Sequence, residues 1–198
     1  MDAEALKFRV NVARYLSEIH SSVSEIENSI DELDCCILSN FEKLASLVAD
    51  VQTISSSYYL KSYLEPYTHE FSDIAQAVDT LSAKRHGALI IVERSNPIEA
   101  LINNGIQINA KVSQQLLEAI FYPGNPLHDG GTVILQDRIL SAGNILPISN
   151  KPAKRKIGTR HRAAIGITEH TDALALIVSE ETGRISFAYG GDLYVVKT

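Results

Sequence analysis

Residues 87–93 read GALIIVE, and the unbroken apolar run from Ala88 to Val92 decides the class of fold. A strand covered on one face alternates apolar and polar side chains, whereas a strand covered on both faces reads as a short continuous apolar stretch. The run therefore predicts a central strand with layers above and below it. The period changes on either side. Phe71 to Ala83 carry apolar residues at helical steps. After a turn at Arg94–Pro97 comes a short helical piece that stops at Asn103-Asn104-Gly105. GIQINA (105–110) alternates like a strand, and VSQQLLEAIFY (112–122) is an amphipathic helix ended by PGNP. TVILQ (132–136) and RILSAGNIL (138–146) read as strands joined by a tight Asp137-Arg138 turn. A basic loop, a helix from about 159, and the strands ALALIVS, RISFAYG and LYVVK complete the chain. Helices and strands interleave without strict alternation, so the expected fold is α/β (α+β), a mixed central sheet flanked by helices.

The N-terminal quarter is different. Leu6, Val10, Ala13, Leu16, Ile19, Val23, Ile26, Ile30, Leu33, Ile37, Phe41, Leu44, Val48 and Val51 follow at three- or four-residue steps, and residues 1–54 hold neither Pro nor Gly. That spacing lays one apolar stripe along a helical hairpin or a long helical segment. Ser22 and Glu25 have capping-box spacing, so a break is expected near His20–Glu25. Ser55–Ser57 mark a transition, and Pro66 starts or interrupts an element. The division is residues 1–57 as a helical oligomerisation or regulatory segment and residues 58–198 as the chemical domain. A stripe of this kind must be buried against its own domain or against another subunit.

Composition narrows the classes. A net charge of −6 over 198 residues gives no general attraction to nucleic acid or anionic membrane. The only cysteines, Cys35 and Cys36, are neighbours and supply neither a disulfide framework nor a thiolate metal site. The charged N-terminus lacks a signal-like apolar core, and no window approaches 18 uninterrupted apolar residues. A cytoplasmic location is the expectation, with no membrane and no nucleic acid as partner.

Three stretches carry chemistry. PLHDGGT (126–132) sets Asp129 beside Gly130 and Gly131, first of all a turn signal. KPAKRKIGTRHRAAIGITE (151–169) collects Lys151, Lys154, Arg155, Lys156, Arg160 and Arg162 with no acidic residue among them. Thr159 is a good N-cap, which puts Arg160, His161 and Arg162 in the first helical turn. Cations there oppose the helix dipole by about 0.3–1 kcal/mol each, a conflict that a bound phosphate resolves. SEETG (179–183) ends an apolar strand with a hydroxyl and two glutamates, suited to a phosphate and to Mg²⁺ or Mn²⁺. Carboxylate, divalent metal and arginine together are the equipment of phosphoryl or nucleotidyl transfer. No Walker or GxGxxG sequence is present, so the familiar nucleotide folds are not indicated.

LHDGG, GTRHRAAIG and VSEETG, in that order, resemble the diadenylate cyclase family, which makes cyclic di-AMP from two ATP molecules. The resemblance covers roughly residues 60–198, and the helical N-terminal segment resembles the family's soluble sporulation-type branch. Gly131 departs from the alanine common at that position. The resemblance implies that the 3′-hydroxyl of one ATP attacks the α-phosphate of another, twice, in a face-to-face homodimer, with higher assembly through the N-terminal helices. Asp129 would activate the hydroxyl and Gly130 would let the ribose approach. Gly158, Thr159, Arg160, His161, Arg162 and Ser179 would hold phosphates. Gly131 would belong to the ATP site and the chain around Leu146 would hold the adenine, while His128, Asp129 and Glu181 would hold Mn²⁺, Mg²⁺ or Co²⁺. A catalytically silent ATP or cyclic-dinucleotide sensor is the first alternative. A nucleic-acid-binding protein using the 151–162 basic cluster is the second.

Overall fold

The computed structural model describes residues 3–30, 36–151 and 157–197. The chain divides into two compact units, Met1–Tyr59 and Leu60–Thr198.

In the first unit, α1 (Ala3–Ser29) and the part of α2 (Cys36–Leu64) up to Tyr59 form an antiparallel hairpin. Phe8 stacks on Tyr58 with ring centroids 4.0 Å apart, Tyr59 closes edge-on against both, and Lys43 reaches Glu25 at 3.7 Å. The break expected near His20–Glu25 does not occur. α1 runs straight through it, because nothing there interrupts the backbone ladder: Ser22 is buried on the helix and Ser21 Oγ faces Glu25 across one turn. Nor do Ser55–Ser57 end α2. Ser57 Oγ donates to the Thr53 carbonyl one turn back, a bond that lets serine remain inside a helix. α2 ends instead at Leu64, just before Pro66.

The expected single stripe is in fact two. On α1, Ala5, Phe8, Val12, Tyr15, Ile19 and Ile26 are wholly or partly buried, while Leu6, Val10, Leu16 and Val23 stand exposed on another side. On α2, Leu38, Phe41 and Val48 are exposed likewise.

The second unit is built on a seven-stranded sheet of order β2-β4-β3-β1-β5-β6-β7. The strands are β1 (Ala88–Glu93), β2 (Ile106–Lys111), β3 (Gly131–Leu135), β4 (Arg138–Asn144), β5 (Leu174–Val178), β6 (Ile185–Tyr189) and β7 (Asp192–Lys197). β1 pairs in parallel with β3, and the other pairings are antiparallel. β1 is the central strand that GALIIVE predicts, and its run is apolar because both faces are covered. Ala88, Ile90 and Val92 point to α3 (Phe71–Lys84) and α4 (Gln114–Ile120), packing with Ile74, Leu81, Leu117 and Phe121. Leu89 and Ile91 point to α5 (Thr159–His170), packing with Ala163, Ala164 and Ile167.

Two local expectations shift by a residue or so. The β3–β4 turn falls on Gln136-Asp137, with Gln136 at positive φ, so Arg138 already belongs to β4. Asp137 is held there by the backbone N–H and ring of His69 and the hydroxyl of Thr68. The helical piece after Pro97 is a single 3-10 turn, Glu99–Leu101.

Candidate functional site

The N-terminal ends of β1 and β3, the C-terminal ends of β4 and β5, and the start of α5 surround a cleft of about 840 Å³. It gathers all three stretches that carry chemistry in the sequence. His128, Asp129, Gly130, Leu146, Gly158, Thr159, Arg160, His161, Ser179 and Glu181 line it; Gly131 and Arg162 do not. Because β1 and β3 run antiparallel to β4 and β5, the site lies at the amino ends of one pair and the carboxyl ends of the other.

The turn that carries Asp129 is made by backbone geometry. Gly130 has φ +97°, and a Cβ there would stand 2.6 Å from the Asn144 carbonyl oxygen. Its bareness is thus demanded by the adjoining strand, in addition to any clearance for a ribose. Gly143, at φ +67°, gives the β4 backbone its matching bend where the β3–β4 register shifts. Asn144 fastens the two strands: its buried Nδ2 donates to the Gly131 carbonyl at 2.8 Å and to Ser141 Oγ at 3.0 Å. Gly105 leaves the space this amide occupies. Gly131 is already a residue of β3 and lies buried beneath Leu146 and Ile91, which keeps it out of the cleft lining.

His128 is oriented by the same loop. Its Nδ1 meets the Asn125 carbonyl, which can only accept, so Nδ1 donates there and Nε2 is the ring nitrogen left for a metal. Metal-binding histidines use that arrangement. Among the described residues no group of three or more His, Cys, Asp or Glu side chains converges on a metal position. The donor set of His128 and Asp129 fits a divalent ion that takes its remaining ligands from water and substrate phosphates.

The start of α5 differs from expectation in one respect. Gly158, not Thr159, is the N-cap, in an extended conformation, and no side chain caps the helix. Thr159 is the first helical residue, so its hydroxyl is not spent on the cap and the first N–H groups of α5 face the cleft uncapped. Glycine serves at this position because its missing side chain leaves room for another group to satisfy those donors. Lys154, Arg155 and Lys156 of the basic cluster lie outside the described residues.

The three residues of Arg160-His161-Arg162 behave differently. Arg160 lies mostly buried, donating from Nη1 to Glu180 Oε2 at 2.7 Å and from Nη2 to the His128 carbonyl at 3.5 Å. It links the SEETG turn to the HDGG turn, and Gly87 makes room, since a Cβ there would stand 2.6 Å from Nη1. Burial pushes the His161 imidazole below its usual range, and the charges of Arg184 and Arg160 outweigh the opposing effect of Glu181. It is therefore neutral near pH 7. Arg162 turns away: Nη1 donates to the Ser149 carbonyl at 3.3 Å, and its own carbonyl accepts from Ser149 N–H at 3.0 Å. With Ser149 Oγ donating to Glu169 at 2.7 Å, this clasps the Pro147–Ser149 segment to α5, where Gly166 permits the close approach.

Ser179 Oγ accepts from Thr182 N–H at 3.3 Å, which leaves its hydroxyl hydrogen to donate outward. On the apolar side of the cleft, Leu89, Ile145, Leu146, Ile148, Ala163 and Val178 form the wall. Asn103 fixes Ile145 through both backbone groups, at 3.1 and 2.8 Å.

Sequence reading missed Gly87 and Asn144, and it offered Glu180 as a metal donor where the carboxylate instead pairs with Arg160. Gly87 looked like the lead-in to a strand and Asn144 like one polar residue in an apolar run. The signal that could have found Asn144 was the Gly-Asn pair inside that run, since glycine within a strand marks a bulge or close approach.

Residues 75–193 match the family model described as DisA bacterial checkpoint controller nucleotide-binding, and residues 2–67 match that of the diadenylate cyclase CdaS N-terminal region. A Bacillus thuringiensis protein named diadenylate cyclase CdaS is 47% identical over 96% of this chain and 95% of its own length. A Bacillus subtilis protein named cyclic di-AMP synthase CdaS is 44% identical over 94% and 90%. A crystal structure from Bacillus cereus, described as a hypothetical membrane spanning protein, superposes with a TM-score of 0.81 at 46% identity, covering 97% of this chain and 95% of that one. The Staphylococcus aureus DacA double mutant gives 0.61 at 40% identity over 64% and 85%. Among the described residues of the present chain, no helix is long and apolar enough to cross a membrane.

Proposed function

This chain belongs to the diadenylate cyclase family, and from that premise we propose how its cleft performs the family's reaction. It condenses two ATP molecules into cyclic di-AMP and releases two pyrophosphates. The observation that carries the reading is the meeting of Asp129, the uncapped start of α5 and the Ser179–Glu181 turn in one cleft.

The 3′-hydroxyl of one ATP forms a bond to the α-phosphorus of the facing ATP, the bond from that phosphorus to the bridging oxygen breaks, and pyrophosphate leaves. Asp129 accepts the hydroxyl proton. The first N–H groups of α5, Thr159, Arg160 and Ser179 bind the phosphates and their growing charge. His161, neutral, contributes a hydrogen bond and no charge. Arg162 acts at one remove, holding the segment that borders the base. Leu146 and its apolar neighbours take the adenine. His128 and Asp129, with Glu181 as a further donor, would hold Mn²⁺, Mg²⁺ or Co²⁺. Such an ion, when bound, neutralises phosphate charge and lowers the pKa of the attacking hydroxyl.

The product is two-fold symmetric, so two protomers must face each other, each bringing half of a site. The exposed apolar face of α1 and α2 supports assembly through the N-terminal unit. That assembly sets how many domains face one another, and it restrains activity.

Incubation with ATP and Mn²⁺ followed by nucleotide analysis tests the reading. The expected result is cyclic di-AMP from the unmodified protein and a loss of about a hundredfold or more in Asp129→Asn, the weight of a positioned base. A silent sensor would bind ATP and yield no cyclic dinucleotide from either protein.

A further inference from the structure

Gly131 sits one residue beyond the turn, outside the cleft, at φ and ψ open to any residue, so neither turn geometry nor direct ligand contact accounts for a glycine there. What accounts for it is the space where a Cβ would stand. Leu146 Cδ1 would lie 2.6 Å away and Ile91 Cδ1 2.7 Å away. Both distances are well inside contact, so the two methyl ends occupy the volume that a side chain at 131 would fill. The two residues are not equally free to yield. Ile91 belongs to the central strand and is fully buried between sheet and α5. Leu146 follows β4, is 6% exposed, and has its open side on the cleft. A side chain at 131 would drive Leu146 outward, into the apolar wall that it shares with Leu89, Ile145 and Ile148.

We propose that Gly131 is a specificity-determining position that acts through Leu146: its bareness lets Leu146 sink into the wall and sets the depth of the pocket for the nucleotide base. This rests on the reading of the cleft as an ATP site. Gly131 makes no contact with the reacting atoms, so it is a positioning residue, and the relevant readout is base binding. The substitution itself is tolerable, because the atoms that must move are the far ends of flexible side chains.

The test measures cyclic di-AMP synthesis by the full chain with Mn²⁺, using ATP and 1,N6-etheno-ATP, whose base is one ring larger. Gly131→Ala is expected to raise KM for ATP by about tenfold, the discrimination one methylene commands in an apolar pocket, and to raise it further for etheno-ATP. The rate at saturation should change far less, because uniform binding is what is lost. Adding Leu146→Val should restore KM, since it removes the displaced methyl, and adding Ile91→Val should not. Unchanged KM for both nucleotides, or rescue by Ile91→Val alone, would overturn the proposal while cyclic di-AMP is still made. Absence of cyclic dinucleotide from the unmodified protein would instead remove the parent reading.

Discussion

The two units of this chain are similarly rich in apolar residues at regular spacing, and they dispose of them in opposite ways. In the second unit the apolar run of β1 is buried on both faces, with Ile90 and Ile91 at zero exposure. In the first, Val10 remains 61% exposed and Leu38 68%. A sheet between two helical layers closes its own core, whereas a two-helix hairpin has only one seam and any second apolar face must find a partner elsewhere. The contrast leaves a closed core in one unit and an exposed apolar face in the other.

The sharpest way to break that contrast is to damage the closed core. Ile90→Ala should cost about 2–5 kcal/mol, measured by urea unfolding, because the sheet cannot collapse around the void. A cost below 1 kcal/mol would mean that the core is not closed.

A smaller effect concerns the clasp on α5. The Ser149 hydroxyl, with Lys151 behind it, holds the Glu169 carboxyl below its usual range, against the opposing pull of burial. A carboxyl lowered by folding contributes stability above the ordinary glutamate pKa and loses it as pH falls through the folded value. The unfolding midpoint should therefore drop below about pH 4, and Ser149→Ala should flatten that drop and remove about 1 kcal/mol at neutral pH. An acid slope identical in both proteins would show that the bond carries no linkage.

The smallest effect on stability, and the most informative one on assembly, belongs to the first unit. Val10→Ser with Leu16→Ser should alter unfolding free energy by no more than about 0.5 kcal/mol per site. Sedimentation should nonetheless reveal smaller assemblies, and the cyclase rate per chain should rise. Unchanged assembly and rate together would detach the exposed face from any regulatory task.

Much of this was legible in the sequence, for physical reasons that differ by region. Patterns that repeat within a few residues report local structure directly: GALIIVE gave its strand, and VSQQLLEAIFY its helix. Where an element ends was less legible, because both Ser22 and Ser57 have side chains that serve equally as caps or as helical residues, and only the surrounding chain selects. The cleft itself could be assembled from Asp129, Arg160 and Ser179 because each stands at the end of an element, where side chains of that chemistry have a reason to be.

The sequence by itself determined that a two-face-buried sheet would bring a carboxylate turn, a cationic helix start and a hydroxyl-bearing turn to strand ends. Only the tertiary structure decided how each residue is used. Gly130 answers to the carbonyl of Asn144, Gly131 to the methyls of Leu146 and Ile91, Gly87 to the guanidinium of Arg160, and Arg162 to the backbone of Ser149. Each of these contacts joins residues at least thirteen apart in the chain, and no periodicity or local propensity encodes a distance across a fold.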